Sequence, residues 1–370
     1  MNASSGQPGE RIGRMVRREI LAATAYQTGV APAKGLIKLD AMENPYTLPA
    51  KLRRQWLARL GEVQINRYPD PRCASLKRQL RATFDIADAH GLVLGNGSDE
   101  LIQMIALLVG GPGRSIVAPV PTFSMYQLIA AATGTRFVGV PLRADFSLDG
   151  GALLDAIGRH RPACVFLACP NNPTGNCFNE EAVTETLERA PGLVVVDEAY
   201  FSFCRRSFAA YLKRFPHLMI LRTLSKSGMA ALRLGFVIAH PGWGEQLEKV
   251  RLPYNISALT QCSATFCLEH YHIMRRQAER IVGQRREVFA ALQQLPGLRA
   301  FPSEANFILF RLDPQQWDAG QIHDRVKAQG VLIKNLHHSG TPLENCLRVT
   351  IGSEHENRRF LETLRRAMER

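Results

Sequence analysis

The sequence predicts an α/β protein, in which a large domain with a seven-stranded, mostly parallel sheet between helices precedes a smaller α+β domain. Short β-branched or aliphatic runs alternate with helical stretches from about residue 91 to residue 240, whereas long helices rich in Arg, Gln and Glu follow Asn255. The chain length of 370 residues is also too great for one small core. These observations together indicate a large domain with a smaller partner.

The seven predicted strands of the large domain are mostly continuous apolar runs, a pattern typical of strands that are buried on both faces. In chain order they are 92–94, 115–118, 136–140, 164–168, 193–196, 219–222 and 235–239. A sheet of this kind binds its ligand beyond the carboxyl ends of its strands. Residues that directly follow these strands are therefore the first candidates for a functional site.

The best-marked helix follows the first of these strands. Ser98 can cap it, apolar side chains recur at helical spacing over 101–108, and a glycine-rich segment at 110–113 ends it. The turn at 95–100 places glycines at the helix N-terminus, whose free N–H groups and positive dipole end favour an anion. A capping role explains Ser98 equally well, and both roles are compatible.

Proline positions and the change in helix character predict the domain boundaries. Pro45, Pro49, Pro69 and Pro71 interrupt helix formation on the way into the large domain. We predict a flexible tail at 1–30 and an N-terminal segment of the small domain at 31–66. A large ligand-binding domain is predicted at 67–255 and a C-terminal small domain at 256–370. Three further strands are predicted in the last of these, at 306–311, 331–334 and 347–351.

Charge, hydropathy and cysteine spacing exclude several classes of partner. The formal net charge is +13, but the basic residues are spread singly or in short groups without a nucleic-acid-binding signature. No apolar run is long enough to cross a bilayer, and the first ten residues do not resemble a secretory signal. The eight cysteines form no CxxC pair. We therefore predict a cytoplasmic protein that binds no metal, nucleic acid or membrane.

Two charged residues stand where a parallel sheet binds ligands. Asp197 directly follows the fifth predicted strand, and Lys226 follows the sixth. Each taken alone is more often a turn or loop residue. Thr223 and Ser225 beside the lysine, with Arg233 further on, supply hydroxyls and a forked cation that suit a phosphate dianion. The combination indicates pyridoxal phosphate (PLP), whose ring needs a carboxylate partner and whose aldehyde needs an amine.

The order of motifs resembles that of the fold-type-I PLP aminotransferases. The matching motifs are Gly97-Ser98-Asp99-Glu100, Pro121-Thr122-Phe123, Pro170-Asn171-Asn172-Pro173-Thr174-Gly175, Asp197-Glu198-Ala199-Tyr200, Thr223-Leu224-Ser225-Lys226 and Leu347-Arg348-Val349-Thr350-Ile351-Gly352. Within that family, the segments at 38–46 and 66–70 resemble the histidinol-phosphate aminotransferase branch. The resemblance covers nearly the whole chain.

The resemblance implies a role for each matching residue. Lys226 would form the Schiff base with the cofactor and move a proton during the reaction, and Asp197 would pair with the pyridinium nitrogen. Asn172 and Tyr200 would hydrogen-bond the ring 3-oxygen, and Phe123 would stack on the ring. The catalytic residues are therefore Lys226, Asp197 and Tyr200. The implied phosphate site consists of Ser98, Asp99, Thr223, Ser225 and Arg233.

The resemblance also implies a homodimer with shared active sites, because Tyr68 would reach the cofactor phosphate of the neighbouring subunit. For the substrate, Asn44 and Tyr46 are expected to line its end of the pocket. Arg348 is the best candidate for its anion, since a guanidinium can grip either a carboxylate or a phosphate. From spacing alone, a surface arginine beside a strand is the commoner interpretation of Arg348.

The chain departs from the family pattern in three places. The spacing from Lys226 to Arg233 is shorter than in many relatives, and Ala231 stands where glycine is common. Phe123 replaces the commoner tyrosine, which keeps stacking but loses a hydroxyl. Lys334 stands where an arginine often helps to grip the substrate phosphate, and a lysine offers only a point charge.

The resemblance implies reversible transfer of an amino group from L-histidinol phosphate to 2-oxoglutarate, giving imidazole acetol phosphate and glutamate in histidine biosynthesis. Two alternatives share the fold: an aromatic amino-acid aminotransferase and a PLP-dependent threonine-phosphate decarboxylase. A transcription regulator built on this fold would need a DNA-binding module, and about thirty-five residues before Leu36 are too few for one. The segment at 40–46 favours the first function.

Overall fold

The computed structural model describes residues 8–25, 35–204 and 206–369. Its strands are β1 Ile37–Lys38, β2 Gly91–Asn96, β3 Ser115–Val120, β4 Arg136–Pro141, β5 Cys164–Ala168, β6 Leu193–Asp197, β7 Leu218–Thr223, β8 Leu234–Ala239, β9 Leu298–Ala300, β10 Phe307–Leu312, β11 Val331–Leu332, β12 Lys334–Asn335 and β13 Cys346–Thr350. All seven strands predicted for the large domain are present, so that part of the fold prediction is confirmed.

The α-helices alternate with the strands of the large sheet and then dominate the C-terminal part. They are α1 Pro8–Met15, α2 Arg18–Leu21, α3 Ala50–Gly61, α4 Ala74–Phe84, α5 Ser98–Val109, α6 Met125–Ala132, α7 Gly150–His160, α8 Glu180–Arg189, α9 Pro241–Val250, α10 Ala258–Glu269, α11 Tyr271–Gln293, α12 Ala319–Ala328 and α13 Glu354–Ala367. Among the described residues, no helix is long and apolar enough to span a membrane.

The large sheet has the strand order β2-β8-β7-β6-β5-β3-β4. Only β8 runs antiparallel to its neighbours, so the sheet is mostly parallel, as predicted. In the register of β6 with β7, Asp197 lies opposite Leu221. The carboxyl ends of these two strands therefore lie side by side, which brings the segments after them to one edge of the sheet.

Helices cover both faces of this sheet because its strands are apolar on both sides. Val194 and Val196 face one core cluster, together with buried residues of α4, α7, α8 and α10. Val195, between them, faces the other cluster with residues of α5, α6 and α9. All three valines are fully buried. Burial of such side chains on both faces, at about 1.5–3 kcal/mol each, fixes the sheet that carries the site.

The small domain contains a four-stranded antiparallel sheet in the order β12-β13-β10-β9 and its own apolar cluster. The strand predicted at 331–334 is in fact two short strands in different sheets, because β11 pairs in parallel with β1 while β12 pairs with β13. The sequence did not predict β1 or β9, which are only two and three residues long. Periodicity cannot mark strands as short as these.

One expectation about local structure needs correction. Gly97, and not Ser98, is the N-cap of α5, and Ser98 is its first helical residue. The Glu100 carboxylate instead accepts a hydrogen bond from the backbone N–H of Asn96 at 2.6 Å. Part of the predicted N-terminal tail forms α1 and α2. The remainder of that tail, 1–7 and 26–30, lies outside the described residues.

Candidate active site

A cavity opens at the carboxyl ends of β6 and β7, and ten of the predicted site residues line it. These are Ser98, Asp99, Phe123, Asn172, Asp197, Tyr200, Thr223, Ser225, Lys226 and Arg233. Its lining also includes Met42 and Tyr126, which the sequence analysis did not select. The structure thus brings together residues from six separate segments of the chain around one lysine.

Lys226 lies in a 3-10 turn directly after β7. Its Nζ donates a hydrogen bond to the Ala41 carbonyl at 3.3 Å and lies 5.8 Å from the centroid of the Tyr200 ring. Burial first, and then the positive charge of Arg348, lower the pKa of Lys226 to about 8. The amine therefore loses its proton more easily than an ordinary lysine does, as a nucleophilic amine requires.

Asp197 is the last residue of β6 and is almost completely buried. Its carboxylate accepts hydrogen bonds from the Tyr126 hydroxyl at 2.6 Å and from the Ala199 backbone N–H at 3.0 Å. Burial raises the pKa of Asp197 to about 6, and these two hydrogen bonds limit the increase. A cation bound in the cavity would favour the charged carboxylate, so the site is electrostatically suited to a protonated ring nitrogen.

Tyr126 is the clearest residue that the sequence analysis missed. It lies in α6, is fully buried, and its ring stacks on Phe166 with centroids 4.6 Å apart. Burial, and then the charge of Asp197, raise the pKa of Tyr126 well above its usual value, so the hydroxyl remains a donor. The available signal was its position three residues after Phe123, whose ring it meets edge-on with centroids 5.8 Å apart.

The N-terminus of α5 and the β7–β8 connection form the opposite end of the cavity. Gly97 has a φ of 86°, and a Cβ added there would lie 2.5 Å from the Arg233 guanidinium. Thr223 Oγ1 donates to Ser225 Oγ at 3.0 Å. These hydroxyls and the free N–H groups of a helix N-terminus are groups that suit an anion.

Arg233 reaches this end of the cavity despite its short spacing from Lys226. Its backbone is in the left-handed region, with a φ of 47°, which costs about 1–2 kcal/mol for a non-glycine residue. The guanidinium donates to Ser225 at 3.3 Å and pairs with the Asp99 carboxylate at 3.1 Å.

Arg348 is a buried residue of β13, so the interpretation as a surface arginine is wrong. Its guanidinium donates one hydrogen bond to Asn172 Oδ1 and another, of 3.0 Å, to the Asp40 carbonyl. It also lies 5.2 Å from the centroid of the Phe307 ring. Arg348 therefore joins the small domain directly to an amide that lines the cavity, a contact that strand spacing alone could not reveal.

The other predicted substrate residues lie outside this cavity. Asn44 and Tyr46 line a neighbouring cavity of about 700 Å³, a volume typical of ligand pockets. Gly228, two residues after Lys226, also lines it, so the two cavities share the segment that carries the lysine. Lys334 lies directly across from Arg348 in the β12–β13 pair but lines neither cavity.

Tyr68 does not line either cavity of its own chain. Its side chain is 81% exposed and stacks on Tyr254, with ring centroids 4.5 Å apart. A ring so exposed and yet held by a neighbour is available to another molecule. The resemblance implies that Tyr68 contacts the cofactor of a second subunit, and such a contact exists only between two chains.

The residues of the cavity fit the cofactor that the resemblance implies. An amine of lowered pKa, a buried carboxylate and an aromatic ring lie around the same space. A helix N-terminus with two hydroxyls and a guanidinium lies at one end of it. This donor set matches the aldehyde, the ring nitrogen, the ring face and the phosphate of PLP in turn. Each chemical group of the cofactor thus has a partner of the right type.

Comparison with known proteins places the chain among the transferases that use this arrangement. Residues 34–364 match the model of the aminotransferase class I and II family. The chain is 52% identical over 356 residues to histidinol-phosphate aminotransferase 2 of Nitrosococcus oceani, with 96% of this chain and 98% of that protein covered. It is 48% identical to histidinol-phosphate aminotransferase of Chromobacterium violaceum, with the same coverage of both proteins.

A solved structure is similar in fold. The crystal structure of histidinol-phosphate aminotransferase from Sinorhizobium meliloti, in complex with pyridoxal-5'-phosphate, matches with a TM-score of 0.82 at 24% sequence identity. The match covers 94% of this chain and 99% of that one. The structure shows the same fold, and the family model and the curated relatives show that the chain belongs to the histidinol-phosphate aminotransferase family of class I and II aminotransferases.

Proposed function

We propose that this enzyme uses PLP to transfer an amino group reversibly from L-histidinol phosphate to 2-oxoglutarate, giving imidazole acetol phosphate and glutamate in histidine biosynthesis. Relatives of 42–52% identity carry the corresponding name. The observation that supports the proposal best is the buried Arg348, whose guanidinium contacts Asn172 at the edge of the cavity that contains Lys226. It is a cation at the right place for the anionic end of either substrate.

In this proposal, the chain's own residues divide the chemistry between them. When bound, PLP supplies a ring that accepts the electron pair left at the substrate α-carbon. Lys226 holds the cofactor covalently and, once displaced by substrate, carries the proton that leaves the α-carbon, which its lowered pKa favours. Asp197 holds the proton on the ring nitrogen, with Tyr126 fixing the carboxylate by a 2.6 Å hydrogen bond. Tyr200 and Asn172 orient the ring oxygen.

The same arrangement explains how one site accepts two different anions. Histidinol phosphate presents a phosphate, whereas glutamate presents a carboxylate, and a guanidinium can bind either in bidentate fashion. Arg348 is oriented by the Asp40 carbonyl and by the Phe307 ring face, so its position is fixed before substrate arrives. Lys334, across from it in the β-ladder, adds a second positive charge that suits the phosphate. Asn44 and Tyr46 would line the imidazole end.

We also propose that the enzyme acts as a homodimer in the cytoplasm. Large apolar side chains are exposed near Tyr68 in the sequence and near its stacking partner Tyr254, including Ile65 at 84% and Leu252 at 70%. Such residues are typical of a surface that a second subunit covers. Tyr68 from that subunit would then reach the cofactor phosphate. The eight free cysteines suit a reducing compartment.

Substrate choice is tested most directly by single half-reactions. The PLP form of the purified enzyme is mixed separately with histidinol phosphate, phenylalanine and threonine phosphate, and conversion to the pyridoxamine form is followed by absorbance. We expect histidinol phosphate to react fastest, and 2-oxoglutarate to regenerate the starting spectrum. Carbon dioxide is measured in parallel, because its release from threonine phosphate would indicate the decarboxylase. If histidinol phosphate converts the enzyme more slowly than phenylalanine and threonine phosphate do, the proposed substrate is refuted.

A further inference from the structure

A cluster of thiols and one carboxylate lies outside the catalytic cavity. The Sγ atoms of Cys177 and Cys204 are 3.3 Å apart, and Cys204 Sγ lies 3.3 Å from Glu304 Oε2. One ligand atom from each of these three residues lies within 4.8 Å of the other two. Three potential metal ligands therefore converge.

The cluster joins three segments that the fold brings together at the seam between the two domains. Cys177 follows the loop that carries Asn172, and Cys204 follows the segment that carries Tyr200. Glu304 belongs to the small domain, between β9 and β10, and its backbone N–H donates to the Gly175 carbonyl at 2.7 Å. No linear spacing marks a site built in this way, which is why cysteine spacing predicted no metal.

The chemistry of these groups suits zinc. Zinc takes a tetrahedral set of thiolates and carboxylates, with bond lengths of roughly 2.0–2.3 Å that place neighbouring ligand atoms about 3.5–3.8 Å apart. The observed separations of 3.3 Å need only a small expansion to reach that geometry. Arg206 pairs with Glu304 at 3.2 Å, and the mostly buried Arg285 lies close enough for Glu304 and Cys204 to affect its pKa. These cations offset the negative charge of a zinc ion bound by thiolates and a carboxylate.

We propose that Cys177, Cys204 and Glu304, with a water molecule as the fourth ligand, bind a zinc ion that fastens the small domain to the two loops carrying Asn172 and Tyr200. The competing use of the same thiols is a disulfide between Cys177 and Cys204. Such a bond would employ only two of the three groups and leave the Glu304 carboxylate beside an oxidised sulfur. Convergence of a carboxylate with the two thiols therefore favours the metal.

The site is tested on the reduced holoenzyme by competition for zinc with a chromophoric chelator. We expect one zinc ion per chain in the wild type, and at least a roughly 100-fold loss of affinity in Cys204→Ser and in Glu304→Gln, since each removes a ligand. Cys262→Ser, which changes a thiol outside the cluster, should bind as the wild type does. The visible spectrum of the bound PLP and circular dichroism establish that each variant is folded.

Cobalt gives an independent readout, because tetrahedral cobalt–thiolate sites absorb in the red, beyond the cofactor bands. We expect these cobalt bands in the wild type and in Cys262→Ser, and we expect Cys204→Ser to lack them. Zinc should raise the melting temperature of the wild type but not that of Cys204→Ser or Glu304→Gln. Absence of stoichiometric zinc from the wild type would overturn the proposal, as would equal binding by Cys204→Ser. Loss of two hydrogen masses on mild peroxide treatment, without zinc binding by the reduced form, would assign the thiols to a disulfide instead.

Discussion

The two sides of the catalytic cavity are built in different ways. On the large-domain side, Asp197 and Lys226 follow two adjacent parallel strands, so the backbone of the sheet determines where they lie. On the small-domain side, Arg348 does not line the cavity itself but contacts Asn172, a lining residue of the other domain. The first side is thus fixed by the topology of one domain, whereas the second depends on how two domains meet. We expect changes on the two sides to have different kinetic effects.

Asp197→Asn tests the large-domain side and should have the largest effect. Loss of the buried carboxylate removes the charge that keeps the ring nitrogen protonated, so kcat should fall by roughly 10²- to 10⁴-fold. Steady-state kinetics measure the change, with the exposed Asp145→Asn as the matched control. A kcat near that of the wild type would show that the carboxylate does not serve the ring.

Arg348→Gln tests the small-domain side and should act mainly on substrate binding. The variant keeps a hydrogen-bonding amide but loses the charge, and charged hydrogen bonds contribute about 1.5–3 kcal/mol, so kcat/KM should fall roughly 10- to 100-fold. Both histidinol phosphate and glutamate should be affected, because the same guanidinium is proposed to grip each. Arg358→Gln, which changes an exposed arginine of α13, should leave kcat/KM unchanged for both substrates. A selective loss for only one substrate would contradict a shared anion site.

The lowered pKa of Lys226 predicts how the stability of the cofactor-free protein depends on pH. Its folded-state pKa of about 8 lies below the ordinary 10.5, so the unfolded chain binds more protons between these values. The free energy of unfolding should therefore rise from pH 8 to pH 10.5. Below pH 8 the buried charge lowers this free energy by its full amount, at most about 3 kcal/mol. Lys226→Met should remove this rise.

Urea unfolding of the cofactor-free wild type and Lys226→Met at pH 7 and pH 10 measures this difference. We expect the variant to be more stable than the wild type at pH 7 and the gap to narrow at pH 10. Equal pH dependence of the two proteins would mean that Lys226 is not the buried amine responsible.

The contrast between the two sides also explains what the sequence could predict. Alternating apolar runs identified the seven strands, and the residues after β6 and β7 followed from the rule for parallel sheets. The burial of Arg348 could not be predicted, because it depends on Asp40 and Asn172, which are distant in the sequence. Tyr126 was missed because an apolar helix face explains a tyrosine as well as a contact with Asp197 does.

The same reason applies to the smaller errors. Ser98 fits the composition of an N-cap, yet Gly97 takes that position with a φ of 86°, and Ser98 begins the helix. The thiol cluster draws Cys177, Cys204 and Glu304 from segments whose proximity arises only after the domains pack. Local pattern predicts elements and the residues at their ends, whereas contacts between elements need the folded chain.

The central claim is that the Lys226 amine holds the cofactor. Borohydride reduction of the PLP-bound enzyme makes the covalent link permanent, and peptide mass spectrometry then locates it. We predict the label on the peptide that contains Lys226, and no label and no visible cofactor band in Lys226→Ala, whereas the exposed Lys249→Ala should be labelled as the wild type is. A label on another lysine, or normal turnover by Lys226→Ala, would contradict the account.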